Sequence, residues 1–446
     1  MRLRFLLLMA AVSMPAWGQA GPAPADKPGQ VLTLPDAVRR ALAANLSLQR
    51  SRSEVSASDL QRRSIIAAVL PKVSLLGTTT QNSEEVSFGT NGDSRTILPS
   101  SDWSYRLTFT QPIYAGLREK RALQQARLGV DTARQGVLSV EDQVLTATVA
   151  QYLGVLEGES LLDVEQRNLD LARWRHKQAQ DLFEAGEITR VEVLRAESDI
   201  KEAERRIAAA KQLRDTAESR LRLVLGLGGT AGSLQVADPG SLFPQLPPEQ
   251  ALVTEAERLR PEVAQAATAL EIARLEVLKQ RGALLPVVSA EGGWINQRST
   301  FPSDEYGFVT LRMSLPLYQG GEVAAKTAQA KERHHQAELQ LEEVKQTVRE
   351  EVRLALLDLQ TADANLRLAR EQLSAAEAEY EQASELYRAQ EITALEAEAA
   401  ETSLADARRA VATGELDRSL AELQVWSTAG LLKKTLIPEE IPEDVR

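Results

Sequence analysis

From Gln319 to Ala389 the chain contains no proline and, past Gly321, no glycine. Nothing in that stretch stops a helix, and at about 1.5 Å per residue one helix would extend on the order of 100 Å. No compact domain hides such a rod, so neighbouring helices must cover it along its length. Its apolar pattern says how. Val348, Ala355, Ala362, Ala369, Ala376 and Ala383 form one column at seven-residue spacing, and Val352, Leu359, Leu366, Leu373, Tyr380 and Tyr387 form a second. Alanines beside large residues let helices interdigitate at close range in coiled-coil fashion. A looser column, Val155, Leu162, Leu169, His176 and Phe183, lies about 200 residues earlier.

That recurrence is part of a duplication. Gln111-Pro112-Ile113-Tyr114-Ala115-Gly116 aligns with Leu315-Pro316-Leu317-Tyr318-Gln319-Gly320, an offset of 316 - 112 = 204 residues. Phe183 to Thr189 aligns with Tyr387 to Thr393 at the same offset, and Glu192 with Glu396. Two matches at one offset define a repeated unit. Each copy opens with helical text, Leu34 to about Ile66 and Glu249 to about Arg281, ending near Pro71 or Pro286. Strand-like text follows: Lys72 to Gln81 and Trp103 to Thr110 around a polar segment, then Val287 to Gln297 and Tyr306 to Ser314 around a shorter turn-rich one. After the long helix, each copy turns near Gly186 or Gln390 and returns as a shorter helix, roughly Glu187 to Leu225 and Glu391 to Trp426.

The expected organisation is a signal peptide at 1–20, a first repeat at 21–248, a second at 249–427 and a tail at 428–446. In the first repeat a β-hairpin at 72–112 precedes a helical hairpin at 114–226, and in the second the hairpins are 287–316 and 319–426. Gly226 to Pro248 reads as an irregular linker, and Pro438 to Arg446 as a loose acidic tail. The signal peptide rests on Arg2 and Arg4, the apolar run Phe5 to Val12 and the small residues Ala16, Gly18 and Ala20. A membrane anchor would need an apolar run of roughly 20 residues. No later window is apolar enough for a transmembrane helix, so contact with a membrane would be made by strands.

The strands alternate: Tyr105, Leu107 and Phe109 oppose Arg106, Thr108 and Thr110, and Val309, Leu311, Met313 and Leu315 oppose Thr310, Arg312 and Ser314. This fits any half-buried antiparallel sheet. It also fits an outward-facing apolar barrel wall, for which an exported chain has an outer membrane available. Four strands cannot close a barrel, because unpaired backbone in lipid costs several kcal/mol per group. Three copies would supply about twelve.

Other chemistry is sparse. A net charge of -11, from 63 acids against 52 bases without a basic block, argues against nucleic acid. There is no cysteine for disulfides or lipidation. His334 and Glu338 have i, i+4 spacing but lack an evident third metal ligand, and His176 falls in the packing column. Gly226-Leu227-Gly228-Gly229 follows a helix, so a helix C-cap explains it better than a phosphate loop. No nucleophile, base and orienting acid cluster, so neither enzyme chemistry nor a cofactor is expected.

The opening Leu32-Thr33-Leu34-Pro35-Asp36-Ala37-Val38 with Ala41-Leu42 and Asn45, the Pro-aromatic-Gly junctions at Pro112 to Gly116 and Pro316 to Gly321, and the Gly-x-Ile-Thr turn at Gly186 resemble the TolC-like outer membrane factors across essentially the whole mature chain. The resemblance implies a mainly α fold with a small β part: a homotrimer with a twelve-stranded β-barrel in outer-membrane lipid and an α-helical periplasmic barrel built from long antiparallel coiled-coil hairpins. It implies a passive channel subunit of a tripartite efflux or type I secretion system, working with a periplasmic adaptor protein and an inner-membrane pump. It marks Pro112, Gly116, Pro316, Gly320 and Gly321 as the barrel-to-helix junction. Gly186, Ile188, Thr189, Gln390, Ile392 and Thr393 become the periplasmic tip and adaptor contact, and Glu396 and Glu192 the acidic gate. Gln390 departs from the turn glycine, and Ala399 stands where some members carry a second acid. The alternatives are ordinary solvated acids for Glu192 and Glu396, helix-capping threonines at the tip, and, for the whole chain, a soluble periplasmic coiled-coil adaptor or scaffold.

Overall fold

The computed structural model describes residues 31–88, 95–227, 234–240, 242–298, 303–389 and 391–437. The signal peptide, Gly228, Gly229, Gln390 and the acidic tail from Pro438 lie outside the described residues.

Two rods set the dimensions. Helices α3 (Arg118–Glu184) and α7 (Glu322–Arg388) each have 67 residues, about 100 Å, and start and end 204 positions apart. Each folds back into a 35-residue partner, α4 (Arg190–Val224) or α8 (Ala394–Thr428), at the same offset. The packing follows the heptads: Val348, Val352, Ala355, Leu359, Leu366, Ala376 and Ala383 are buried on α7. The return helices answer with their own small column, Ala196, Ala203, Ala210 and Ala217 on α4 and Ala400, Ala407 and Gly414 on α8. At Gly158 the approach of α3 to α4 is so tight that a Cβ would lie 2.6 Å from the Arg214 Cα. In the first copy the column loosens toward the tip, where Phe183 is exposed in the isolated chain.

The two opening helices are each broken in two. In the first copy, α1 (Leu34–Ala44) ends where the Asn45 carboxamide accepts hydrogen bonds from the Ser47 and Leu48 amides and starts α2 (Leu46–Ala67). In the second, Pro261 begins α6 (Pro261–Arg281), and the steric demand of its ring holds Arg260 extended at the end of α5 (Glu249–Leu259). Each stretch expected to be helical, Leu34 to about Ile66 and Glu249 to about Arg281, is helical as expected but divided in two by this local capping.

One four-stranded antiparallel sheet holds both hairpins, in the order β1 (Lys72–Gln81), β4 (Ser101–Ala115), β5 (Val287–Gln297), β6 (Glu305–Ser314). Strand β4 is longer than its sequence pattern, running through the junction with a bulge at Ile113 between Pro112 and Tyr114. The polar segment between β1 and β4 carries a small hairpin of its own, β2 (Val86–Phe88) with β3 (Arg95–Leu98). This is where the copies differ in length: Pro71 and Pro286 are 215 apart, Pro112 and Pro316 only 204.

The thickest part of the molecule is midway along the rods. There α1, α5 and α9 (Leu432–Leu436) close over α3, α7 and the ends of the return helices, around Val38, Tyr152, Leu221, Leu252, Val352 and Trp426. Phe243 of the linker stacks on Trp426, with ring centroids 5.9 Å apart. The linker is therefore tied down, and Leu32 pairs with Val236 in an isolated parallel bridge. The Tyr152 hydroxyl lies 2.6 Å from the Ala237 carbonyl and 2.9 Å from that of Leu32, fixing both strands to α3. Where the C-terminal segment begins, Leu431 and Leu432 are buried and Lys433 pairs with Glu141 at 2.6 Å.

Candidate channel wall and helical tip

The sheet has two unlike faces. Register aligns Val73, Phe109, Gly292 and Val309 in one row and Leu75, Leu107 and Trp294 in the next, with Tyr105, Leu311 and Met313 on the same side. Val309 is 90% exposed, Leu75 71%, Leu311 69% and Val73 67%. Exposure of this extent across a continuous apolar surface marks an interaction with lipid or protein. The opposite side carries Ser74, Thr108, Thr110, Arg106, Glu291, Thr310 and Arg312. No helix among the described residues is long and apolar enough to cross a membrane.

The junctions show why glycine follows proline and tyrosine. Gly116 takes φ +68, and a Cβ there would lie 2.1 Å from the Gly282 carbonyl oxygen at the end of α6. Leu117 is the one non-glycine with positive φ among the described residues, and the second copy puts Gly321 at that position. Gly320 and Gly321 also have positive φ, yet nothing lies within 4 Å of a Cβ at either. Pro112 and Pro316 are half-buried, but Leu317 and Tyr318 are 89% and 88% exposed while Tyr114, the counterpart of Tyr318, is half-buried. The first junction is covered by the second copy of the same chain. The second junction is bare.

At the far end the two copies form matching tips. Gly186, φ +80, closes α3: its amide donates to the Phe183 carbonyl, and the Glu187 amide to that of Leu182. That pairing is a Schellman cap, which needs the left-handed backbone glycine allows. The Glu391 amide donates likewise to the Leu386 carbonyl. Thr189 and Thr393 are the exposed first caps of the return helices, with Ile188 and Ile392 half-buried beside them. Thr393 forms a capping box: its hydroxyl accepts from the Glu396 amide, and the Glu396 carboxylate accepts from the Thr393 amide at 2.8 Å and from its hydroxyl at 2.9 Å. The Thr393 amide, then its hydroxyl, hold the Glu396 carboxyl below its usual range. Thr189 makes no such side-chain bond. Glu192 is half-buried in a groove between the tips, lined also by Gln178, Ile188, Tyr387, Arg388 and Ile392.

Sequence reasoning missed the groups that join the two hairpins above the tip. Arg175 on α3 reaches Glu401 at 3.0 Å and Glu398 at 3.6 Å on α8, and Asp199 at 3.5 Å on α4. One guanidinium thus faces three carboxylates. Burial pushes the Glu401 and Asp199 carboxyls up, against the pull of Arg175. Higher on the same seam, Arg409 meets the buried Glu165 at 2.9 Å. Arg388 lies over the Trp174 ring, 5.6 Å from its centroid, binding α7 to α3. Apart from Arg175 with Asp199, which meet across the α3–α4 turn, these partners are more than 200 residues apart, so no local spacing announces them.

The remaining sites are structural. His334 lies 3.5 Å from Glu338 on the face of α7, and no cluster of three metal-ligating side chains occurs among the described residues. His176 is half-buried in the seam. Gly226, φ +68, is a helix C-cap, its amide donating to the Leu223 carbonyl and the Leu227 amide to that of Arg222.

Comparison with known proteins agrees with this geometry. The profile of the outer membrane efflux protein family matches residues 37–227 and 252–431. The chain is 24% identical over 409 residues to the outer membrane efflux protein BepC of Brucella suis biovar 1, covering 89% of this chain and 85% of that one. It is 25% identical over 272 residues to the alkaline protease secretion protein AprF of Pseudomonas aeruginosa, covering 57% and 54%. Among solved structures CusC superposes with a TM-score of 0.77 at 19% identity, covering 89% of this chain and 92% of that one. With two profile segments spanning both copies of the repeat, the chain belongs to the outer membrane efflux protein family.

Proposed function

We propose that three copies of this chain assemble into one conduit from periplasm to exterior, opened when a periplasmic adaptor and its inner-membrane pump engage the helical tip. The protein is an outer-membrane channel protein whose helical part lies in the periplasm, and it is not an enzyme. What carries the trimer is the unmet half of a repeating contact. Within the chain, β4 of the first copy pairs with β5 of the second, and Gly282 packs on Gly116. The corresponding surfaces, the outer edge of β6 with Gly320 and the outer edge of β1, have no neighbour among the described residues. A heterologous contact of this kind closes as a ring, and three protomers of four strands make twelve.

In this assembly the two repeats, 21–248 and 249–427, supply alternate sectors of the wall. Glu192 and Glu396, in the first turns of the return helices, form the acidic gate just inside the periplasmic mouth; Gly186, Ile188, Thr189, Ile392 and Thr393, with Gln390, form the adaptor-facing rim. Resemblance to both an efflux protein and a protease secretion protein leaves both kinds of cargo within the reading.

The duplication predicts the register between protomers. Leu107 opposes Trp294 within the chain, so the offsets of 204 and 215 residues put Leu311 opposite Thr79 of the next subunit. The chain has no cysteine, so Leu311→Cys combined with Thr79→Cys gives an unambiguous cross-link. Oxidation of the outer-membrane fraction should yield covalent dimers and trimers, with neither single variant passing beyond a dimer. Recovery of a soluble, uncross-linked monomer would refute the assembly.

A further inference from the structure

The polar face of the sheet has charges the channel reading leaves unused. Arg106 lies in the row Leu76, Arg106, Ile295, Tyr306, and Arg312 lies opposite Ser289. Lys72 and Glu291 share a third row, separated by Thr110 of β4 and hence by about 10 Å, two strand spacings. Arg106, Arg312 and Lys72 are exposed, and none forms a salt bridge or side-chain hydrogen bond among the described residues. This contrasts with the helices, where arginines such as Arg175, Arg260 and Arg409 are each held by a carboxylate. The other acid on this face, Asp102, sits at the rim opposite Thr80 and accepts from the Trp103 amide. Within the three rows the face therefore carries three cations against Glu291.

We propose that Arg106 and Arg312 are specificity-determining residues that draw anionic solutes into the membrane-level lumen. The inference rests on the trimeric barrel, in which the apolar side meets lipid and this side lines the pore. Threefold closure turns each arginine into a ring of three positive charges inside low-dielectric walls, which focus the field. Arginines kept apart from carboxylates remain free to attract passing anions. The tip has the opposite sign, with Glu192, Glu396 and Glu398 near its mouth. The two ends of the conduit thus select differently, and charge selection for anions belongs to the barrel.

The test is the reversal potential of purified trimer in planar bilayers across a tenfold KCl gradient. Low salt is required, since the field of the arginines extends only about 10 Å before it is screened at 0.1 M but about 30 Å at 0.01 M. In the Arg106→Gln/Arg312→Gln protein the anion-to-cation permeability ratio should fall roughly sevenfold for each kT of potential removed, because the anion loses and the cation gains a factor of about e. Glu291→Gln should raise the ratio, and Arg106→Lys/Arg312→Lys should keep the wild-type value while showing that the wall tolerates substitution. A conducting trimer whose ratio is unmoved by the glutamine pair overturns the assignment alone. A wild-type protein that neither forms trimers nor conducts overturns the conduit reading beneath it.

Discussion

Removing Arg175 should loosen the tip, and the structure sets the size and pH dependence of the effect. In Arg175→Ala, Asp199, Glu398 and Glu401 lose the guanidinium that stands 3.0 to 3.6 Å from them. Breaking a fully buried ion pair costs about 3 to 5 kcal/mol. The carboxylates here are 33%, 34% and 16% exposed, which lowers the cost of the seam between α3 and α8 to about 2 kcal/mol per protomer. That is roughly a thirtyfold shift toward the separated arrangement in each subunit, since 1.4 kcal/mol is a factor of ten. Acid should reverse it. Burial already raises Asp199 and Glu401, and without Arg175 both rise further, so they take up protons earlier than ordinary carboxyls as pH falls, and their repulsion fades in acid. Single-channel recording should show higher conductance or open probability than wild type at pH 8 and a smaller difference at pH 5. Arg173→Ala, which removes an exposed guanidinium 3.7 Å from Asp170 on its own helix, should behave as wild type. Wild-type traces from Arg175→Ala at pH 8, or a larger difference at pH 5, would refute the reasoning.

Two further outcomes test other parts of the molecule. Glu396→Gln keeps a side chain able to complete the capping box while removing the charge, so a fall in cation preference at pH 7 assigns the carboxylate to the gate, and unchanged selectivity leaves it a helix cap. Asp142 has its carboxyl pushed up to about 6 by burial, then by the nearby Glu262. A carboxyl raised in the folded state favours folding while it stays protonated and penalises it once ionised, so its cost appears as pH rises from about 4 through about 6. Asp142→Asn should therefore raise the thermal midpoint at pH 8, by an amount equivalent to roughly 2 to 3 kcal/mol, with little change near pH 4.

Sequence alone determined the elements and their duplication. Heptad columns, the Pro-aromatic-Gly junctions and the glycine turn act over a few residues, and each appears where such local physics puts it: 67-residue rods, 35-residue returns and strands with one apolar face. Even the breaks that divide the opening helices, at Asn45 and Pro261, have local causes visible in the residue types. Tertiary structure alone decided which surfaces meet. The grouping of Arg175 with Asp199, Glu398 and Glu401 depends on the lateral placement of three helices. The adjacency of β4 and β5, and with it the bare edge at β6, depends on how the two copies lie side by side. Periodicity fixes the face a side chain occupies on its own element; the partner across the gap is set by packing between segments 200 residues apart. For the same reason the face carrying Arg106 and Arg312 reads in sequence as mere alternation, and becomes one charged surface only once four strands are in register.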